Sequence, residues 1–492
     1  MSAIWPFMIL AIPLVTAGAS LVPLSTRRRL AIHIMGLLAT SASVFALAAT
    51  VTAGGAMETA SGFFFVDPLS AVLLLVVTLV TLISGLHSIG YVRQDVAHGE
   101  LSVRQERQYF AWFHAFTATM YLVLMVNNLG ITWVAIEGTT VTSAFLVAIY
   151  RKAEALEAAW KYLILCSSGI AFALLGLIFL YSSAQDVYGP GSNRLDFTFL
   201  ARTAHALPTP LLLTSFALIF VGYGTKVGLA PLHFWLPDAH SQAPSPVSAL
   251  LSGALLNTAL YGIMRIVILL LHTASEPFVV HLSLVFGLLS LAVAFPFLLL
   301  QQDIKRMLAF SSVEQMGILL FGIGVGTEAS FFAVILQLFN HAMTKSTLFM
   351  TAGNLVQQYR TKQIPRIRGV LSASPFSGTV LLVAGLALVG APPFAIFSSE
   401  LAITAAGFAA GHPFTTALFL LLLAALFGAT LYQLGRMVFG TPTAVRMTHP
   451  SRWTTWPLLL PLALATVLGV WMPHPLSELF QGAARVMDGR LL

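Results

Sequence analysis

Five side chains able to hold or pass a proton fall inside stretches otherwise apolar enough to cross a bilayer: Glu137, Lys226, His341, Lys345 and Glu400. Lys226 stands about fifteen residues into the segment from Leu211 to Ala230, so it lies roughly 22 Å along a helix. A lysine at mid-bilayer costs about 2.5–3.5 kcal/mol on insertion scales, and such residues mark ion or proton paths. The segment then breaks. Pro231, Pro237, Pro244 and Pro246 follow, with His233, Asp238 and His240 between them. A broken helix at membrane depth is tolerated only where its freed backbone is buried or lines a cavity.

Three further patterns fit the same chemistry. Glu137 is followed by Thr139, Thr140, Thr142 and Ser143, which makes it a candidate partner for the Lys226 ammonium. Gln337, His341 and Lys345 are spaced i, i+4, i+8 and share one helix face. Histidine titrates near neutral pH, as a proton relay requires. The stretch LVAGLALVGAPPFAIFSSELAI breaks at Pro392 and Pro393 and carries Glu400 beyond the break. Setting Val227–Gly228 on Val389–Gly390 fixes a single numbering offset, and the same offset puts Asp238 on Glu400.

These residues must be positioned by membrane helices. The chain has 492 residues, 58% hydrophobic and 9% charged, with a mean hydropathy of +0.87. Soluble domains carry about 25% charged residues, so the expected fold class is an all-α polytopic membrane protein. Spanning stretches occur near 3–24, 30–52, 63–87, 109–126, 131–150, 160–181, 211–230, 246–272, 279–300, 306–325, 328–356, 378–403, 414–437 and 455–473, about fourteen in all. Eighteen of the 25 Lys and Arg residues fall in loops after odd-numbered segments, four on the opposite side, and three, Lys226, Arg265 and Lys345, within the membrane. Both termini are therefore expected on the outer side of a cell inner (plasma) membrane. The seventh and twelfth segments then run in opposite directions. Two broken helices so related are the pattern of inverted repeats. The expectation is one membrane domain, 1–492, with helices 4–8 (109–272) and 9–13 (279–437) as two inverted five-helix repeats.

Composition also excludes. One cysteine, Cys166, leaves no disulfide within the chain and no Cys-ligated zinc or iron–sulfur site built by it alone. There is no GxGxxG fingerprint or Walker loop. No cofactor or metal is expected in this chain, and any redox or ATP chemistry belongs to a partner. The net charge of +7 is spread over loops on one side, which is not a nucleic-acid signature. Arg27–Arg29 follow the first apolar run rather than precede it, so that run reads as a spanning helix and not a signal peptide. Arg265 is expected to snorkel or pair, and His33, His87, His114, His272 and His281 to be structural.

The chain resembles the antiporter-like, proton-translocating membrane subunits shared by respiratory complex I, Mrp-type cation/proton antiporters and membrane-bound group 4 NiFe hydrogenases. The resemblance rests on Glu137, on TKVGLAPLHFWLPDAHSQAPSPVSALL, on QQDIKRMLAFSSVEQMG at 301–317, on FNHAMTKSTLFMTAGN at 339–354 and on GAPPFAIFSSE at 390–400. It implies a Glu137–Lys226 pair, a central polar axis through His341 and Lys345, an outer exit at Glu400, and partners among the membrane and redox subunits of a multi-subunit complex. In the eighth segment Ser252 and Asn257 match positions where many relatives carry Lys or His. Without that group, the link from Lys226 to the eleventh segment uses waters and hydroxyls or passes through His341. The Ser/Asn pattern and the PPF…SSE ending look most like hydrogenase-4 component F. A cation/proton antiporter or inorganic-carbon uptake subunit is the alternative function within the same family.

Overall fold

The computed structural model describes residues 4–442 and 451–490; Arg446, one of the arginines counted above, lies outside them. The chain is almost wholly helical. The main helices are α1 (Trp5–Leu21), α2 (Thr26–Gly54), α3 (Pro68–Ala97), α4 (Val103–Met125), α5 (Leu129–Val147), α6 (Ala153–Tyr188), α7 (Thr209–Val227), α8 (Trp235–Gln242) and α9 (Ser245–Leu270). They continue with α10 (Glu276–Leu300), α11 (Ile304–Val325), α12 (Glu328–Tyr359), α13 (Pro375–Leu388), α14 (Ala395–Ala409), α15 (Pro413–Val438), α16 (Arg452–Val470) and α17 (His474–Met487). Among the described residues, ten helices are long and apolar enough to cross a membrane, so this is a multi-pass membrane protein.

Side-chain oxygens set the helix starts. Asp67 accepts from the Ser70 amide at 2.8 Å to open α3. Ser102 with Gln105 forms a capping box on α4. Asn128 accepts from the Gly130 and Ile131 amides, which makes the division between α4 and α5. The mixed-charge stretch 91–108 is mostly helical: α3 runs to Ala97, α4 begins at Val103, and only a short turn separates them. The 182–209 connection is partly helical, with α6 continuing to Tyr188 and a short helix at Phe197–Thr203. It folds back so that Leu129 donates its amide to the Leu195 carbonyl and Phe197 donates to that of Asn127.

The core is built on α3, α9, α11 and α12. The spans of α9 and α11 are wholly buried, whereas α15 is 28% buried and faces outward. Helices apolar all round belong inside a bundle, and α9 and α11 carry their few polar groups there too. At its N-terminal end, α3 is tied to α9 by a buried bidentate pair. Arg265 donates from Nη1 to Asp67 at 2.6 Å and from Nη2 at 2.9 Å, and also reaches Ser70 at 2.7 Å. Arg265 therefore pairs and does not snorkel.

Both breaks are built alike. Helix α7 ends at Gly228, which is left-handed at φ +79°, and the Leu229 amide donates back to the Gly224 carbonyl at 3.0 Å. Helix α13 ends before Gly390, left-handed at φ +69°, and the Ala391 amide donates to the Leu386 carbonyl at 3.0 Å. Gly224, Gly228 and Leu229 correspond to Leu386, Gly390 and Ala391 at one constant numbering offset, the one that aligns the two Val-Gly pairs. This six-to-one bond with a left-handed residue satisfies helix-end carbonyls, and only glycine adopts that conformation without a Cβ penalty. The Trp235 indole satisfies the Thr225 carbonyl at 2.8 Å, so the first break exposes little unpaired backbone.

The Asp67–Arg265 pair generates a prediction. Asp67→Ala strands a buried guanidinium and should destabilise the protein by about 3–5 kcal/mol, seen as a lower unfolding temperature of the purified complex. Replacing both residues with Leu and Met should recover most of the loss.

Candidate functional site

Three helices converge on Lys226. It lies in the last turn of α7 and is fully buried. Its ammonium donates to Thr140 Oγ1 of α5 at 2.8 Å and to the Tyr162 hydroxyl of α6 at 2.5 Å, and stands 4.6 Å from the Tyr162 ring centroid. Glu137, one turn before Thr140 on α5, is half-buried. It accepts from Thr140 at 3.2 Å and from Ser167 of α6 at 2.6 Å. The expected direct pair of Glu137 with Lys226 is replaced by a bridge, because the shorter threonine side chain stands between carboxylate and ammonium. Tyr162 also bonds Ser143 at 2.7 Å, which draws a further α5 hydroxyl into the cluster.

Asp238 and His233 do not join this cluster. Asp238 lies at the rim, where it accepts from Arg306 of α11 and, at 3.5 Å, from Lys161 of α6. His233 stacks on Phe234. His240 is buried and stacked on Phe349 at 4.8 Å, and neither ring nitrogen has a hydrogen-bond partner among the described residues. Beside it, a cavity of about 350 Å³ opens on the arginine-rich side, lined by Tyr91, Asp95, Tyr150, Lys305 and Lys362 among others.

Along α9 from Ser245 to Tyr261 the polar side chains are hydroxyls and an amide. The helix widens into a π turn over Leu251–Leu255. Ser252 Oγ meets Ser312 Oγ of α11 at 2.8 Å, and the Ser252 carbonyl is 3.3 Å from His341 Nε2 of α12. Asn257 turns back onto the Gly253 carbonyl at 2.8 Å, and its own carbonyl oxygen has no partner among the described residues.

The α12 stripe faces a matching stripe on α11. Lys345 donates to Ser311 at 2.6 Å and to the Leu308 carbonyl at 2.5 Å. Two turns away, Gln337 donates to Gln315 at 2.7 Å and accepts from Ser399 of α14. Ser399 precedes Glu400, which is half-buried and folds against Gly390 at the second break, so closely that an added Cβ there would collide with its carboxylate. Buried Glu314 sits between the Ser311 and Gln315 positions, with Oε2 unpartnered among the described residues. Sequence reasoning singled out none of Tyr162, Ser167, Ser311, Ser312, Glu314, Gln315 or Ser399. The available signal was that five of the seven lie in stretches already matched to the family, SSVEQ and FSSE, with Ser311 and Gln315 spaced i, i+4.

Taken together, the hydroxyl, amide, ammonium and carboxylate groups form two sets, one on α5, α6 and α7 around Lys226 and one on α9, α11, α12 and α14 around Lys345 and Gln337. They can hold charge and relay hydrogen bonds. Among the described residues there is no cluster of three metal-ligating side chains.

Residues 126–428 match the family model described as NADH:quinone oxidoreductase/Mrp antiporter, TM, and residues 59–99 that of NADH-Ubiquinone oxidoreductase (complex I), chain 5 N-terminus. The chain is 38% identical over 419 residues to Hydrogenase-4 component F homolog of Methylacidiphilum infernorum (isolate V4), covering 85% of this chain and 87% of that one. It is 30% identical over 346 residues to Hydrogenase-4 component B of Escherichia coli (strain K12), covering 68% of this chain but 49% of the relative, about half its length. A chain of the membrane-bound sulfane sulfur reductase (MBS), an archaeal respiratory membrane complex, superposes with a TM-score of 0.87 over 98% of this chain and 97% of that one. At 23% identity, the likeness is one of fold.

Removing the middle of the α11–α12–α14 bridge should be costly. Gln337→Leu leaves Gln315 and Ser399 without their shared partner and should destabilise by about 1–3 kcal/mol, measured by thermal unfolding of the purified complex, while Gln337→Glu should cost less.

Proposed function

Because the chain belongs to the NADH:quinone oxidoreductase/Mrp antiporter membrane family, we propose that it is the proton-translocating membrane subunit of a redox-driven complex, of the NADH-quinone oxidoreductase or membrane-bound NiFe hydrogenase type. The supporting observation is the buried Lys226 ammonium, held by two hydroxyls, one of which hands on to Glu137. The cofactors and the electron chemistry belong to partner subunits, and this chain carries the membrane step.

A threonine hydroxyl both donates and accepts, so Thr140 can reverse its two hydrogen bonds as Lys226 gains or loses a proton. The charged lysine donates to Thr140, which donates to an ionised Glu137. Once the lysine is neutral, its lone pair accepts from Thr140 or Tyr162, and Glu137 is freed to bind a proton. From there the proposed route crosses α9 at Ser252 and Ser312, reaches His341 and Lys345, and follows Glu314 and the Gln315–Gln337–Ser399 bridge to Glu400. His240 and the 350 Å³ cavity form its mouth on the arginine-rich side. Asp238 serves as a rim ion pair. Fourteen spans in two inverted units, 109–272 and 279–437, with both termini outward, are the architecture we assign. The identical backbone bonds at the two breaks, set at one constant numbering offset, support it.

A cation/proton antiporter or inorganic-carbon uptake subunit of the same family is the second reading. It is supported by the matching family model, whose description names the Mrp antiporter beside NADH:quinone oxidoreductase. Sodium-independent proton flux and co-purifying redox subunits separate the first reading from the second.

In proteoliposomes holding the purified complex, Lys226→Ala should abolish coupled proton movement with subunit composition unchanged. Full pumping in that variant overturns the proposal. Thr140→Val should slow pumping roughly tenfold, since a hydrogen bond to a charged group is worth about 1.5–3 kcal/mol, and Thr140→Ser should restore it.

A further inference from the structure

Away from these polar groups, two cavities meet where α16 lies along α3. One, of about 490 Å³, is walled by Leu82, Ile83 and Leu86 of α3 and by Trp456, Pro457 and Leu460 of α16. The other, of about 420 Å³, is walled by Gly90, Arg93 and Gln94 with Ser451. Trp453 lines both. The two segments touch closely at Gly90, where an added Cβ would meet Thr454 Cγ2 at 2.7 Å, so the junction is fixed by backbone contact.

The length of this groove is one leaflet. From Leu82 to Arg93 helix α3 rises roughly 16 Å, and half of a ~30 Å hydrocarbon core is about 15 Å. Its deep end is apolar. Its shallow end carries Arg93 and Arg452, on the arginine-rich side of the protein. Both are exposed, and neither side chain has a hydrogen bond or a carboxylate partner among the described residues. Trp453 and Trp456 are 40% and 69% exposed, as indoles are at the headgroup level. Basic pockets between helices on this side suit anionic head groups, and among the described residues no acidic side chain lines either cavity.

We propose that this groove is a binding site for one anionic phospholipid, its acyl chain along Leu82, Leu86 and Leu460 and its phosphate at Arg93 and Arg452. Gln94 and Ser451 supply further donors beside the headgroup. A zwitterionic lipid fits the apolar trough equally well but brings no net counter-charge to the two guanidinium groups.

The test uses the purified complex in vesicles of phosphatidylcholine, into which phosphatidylglycerol or phosphatidylcholine brominated at mid-chain is titrated. Tryptophan quenching is read as the difference between the wild type and a Trp453→Phe/Trp456→Phe variant. Brominated phosphatidylglycerol should half-quench this component at a mole fraction roughly tenfold lower than brominated phosphatidylcholine. Arg93→Gln/Arg452→Gln should bring the two titrations together. Equal quenching by both lipids in the wild type means an ordinary annulus and overturns the proposal. So does the absence of quenching, which means that a protein subunit covers the groove, and so does an undiminished preference in the arginine variant. If the arginine variant does not assemble, the same comparison with Arg452→Gln alone, which should lose part of the preference, decides.

Discussion

A buried ammonium has to be solvated by something, and at Lys226 the protein supplies two hydroxyl oxygens and an aromatic ring in place of water. Much of the first half of the chain follows from that requirement. Helix α5 carries a run of Thr and Ser that a purely apolar span has no need of. Helix α6 must pass close enough for Tyr162 to reach across. Helix α7 must stop just after the lysine, and it does so at a left-handed glycine whose carbonyls are satisfied by backbone and by Trp235. A carboxylate in direct contact would hold the ammonium more firmly, since an ion pair at 4 Å is worth about 4 kcal/mol at an effective dielectric near 20. With Thr140 interposed, the two charges remain coupled but are not locked together.

The second half repeats the problem with different chemistry. Lys345 is solvated by a serine hydroxyl and a helix carbonyl, and Glu400 rests against the glycine of the second break. Both halves put an ionisable group near a helix end made by glycine and proline. They differ in what surrounds it: hydroxyls at Lys226, and a chain of amides and the buried carboxyl of Glu314 near Lys345 and Glu400. The shared backbone device and the unlike side chains fit two units of common design that have specialised.

The sequence displayed those groups that are locally anomalous. A lysine in an apolar run, a proline pair at membrane depth and polar residues at i, i+4, i+8 stand out within a short window, and the helical character of the chain is as plain. Tyr162 and Ser167 do not stand out, because a tyrosine and a serine in a membrane helix are ordinary until the fold brings Lys226 and Glu137 to them. Arg265 was visible as a charge, but its partner Asp67 lies 198 residues away, so only the fold distinguishes pairing from snorkelling. The offset between the two Val-Gly pairs located the paired backbone breaks and set Asp238 on Glu400 by position alone. Their environments differ because α6 and α11 bring Lys161 and Arg306 to Asp238, whereas α14 brings Glu400 against bare backbone. Side-chain surroundings depend on neighbours that a local repeat does not encode.

The consequence lies at α9, between the two halves. Asn257 uses its amide to satisfy its own helix, and the π turn before it directs the Ser252 carbonyl at His341. Within α9, no side chain at this crossing can carry net charge. If a proton passes here, it moves by reorientation of hydroxyls and water, with the charge resting only at Lys226 on one side and at His341 or Lys345 on the other. Such a crossing separates two charge sites across a short neutral span, so that the field of one acts on the other without an intermediate ion. On the proposed route the adjustable element is the Lys226–Thr140–Glu137 bridge: a proton gained or lost at Lys226 changes the charge facing the second half across α9, and Thr140 accommodates that change by turning its hydroxyl.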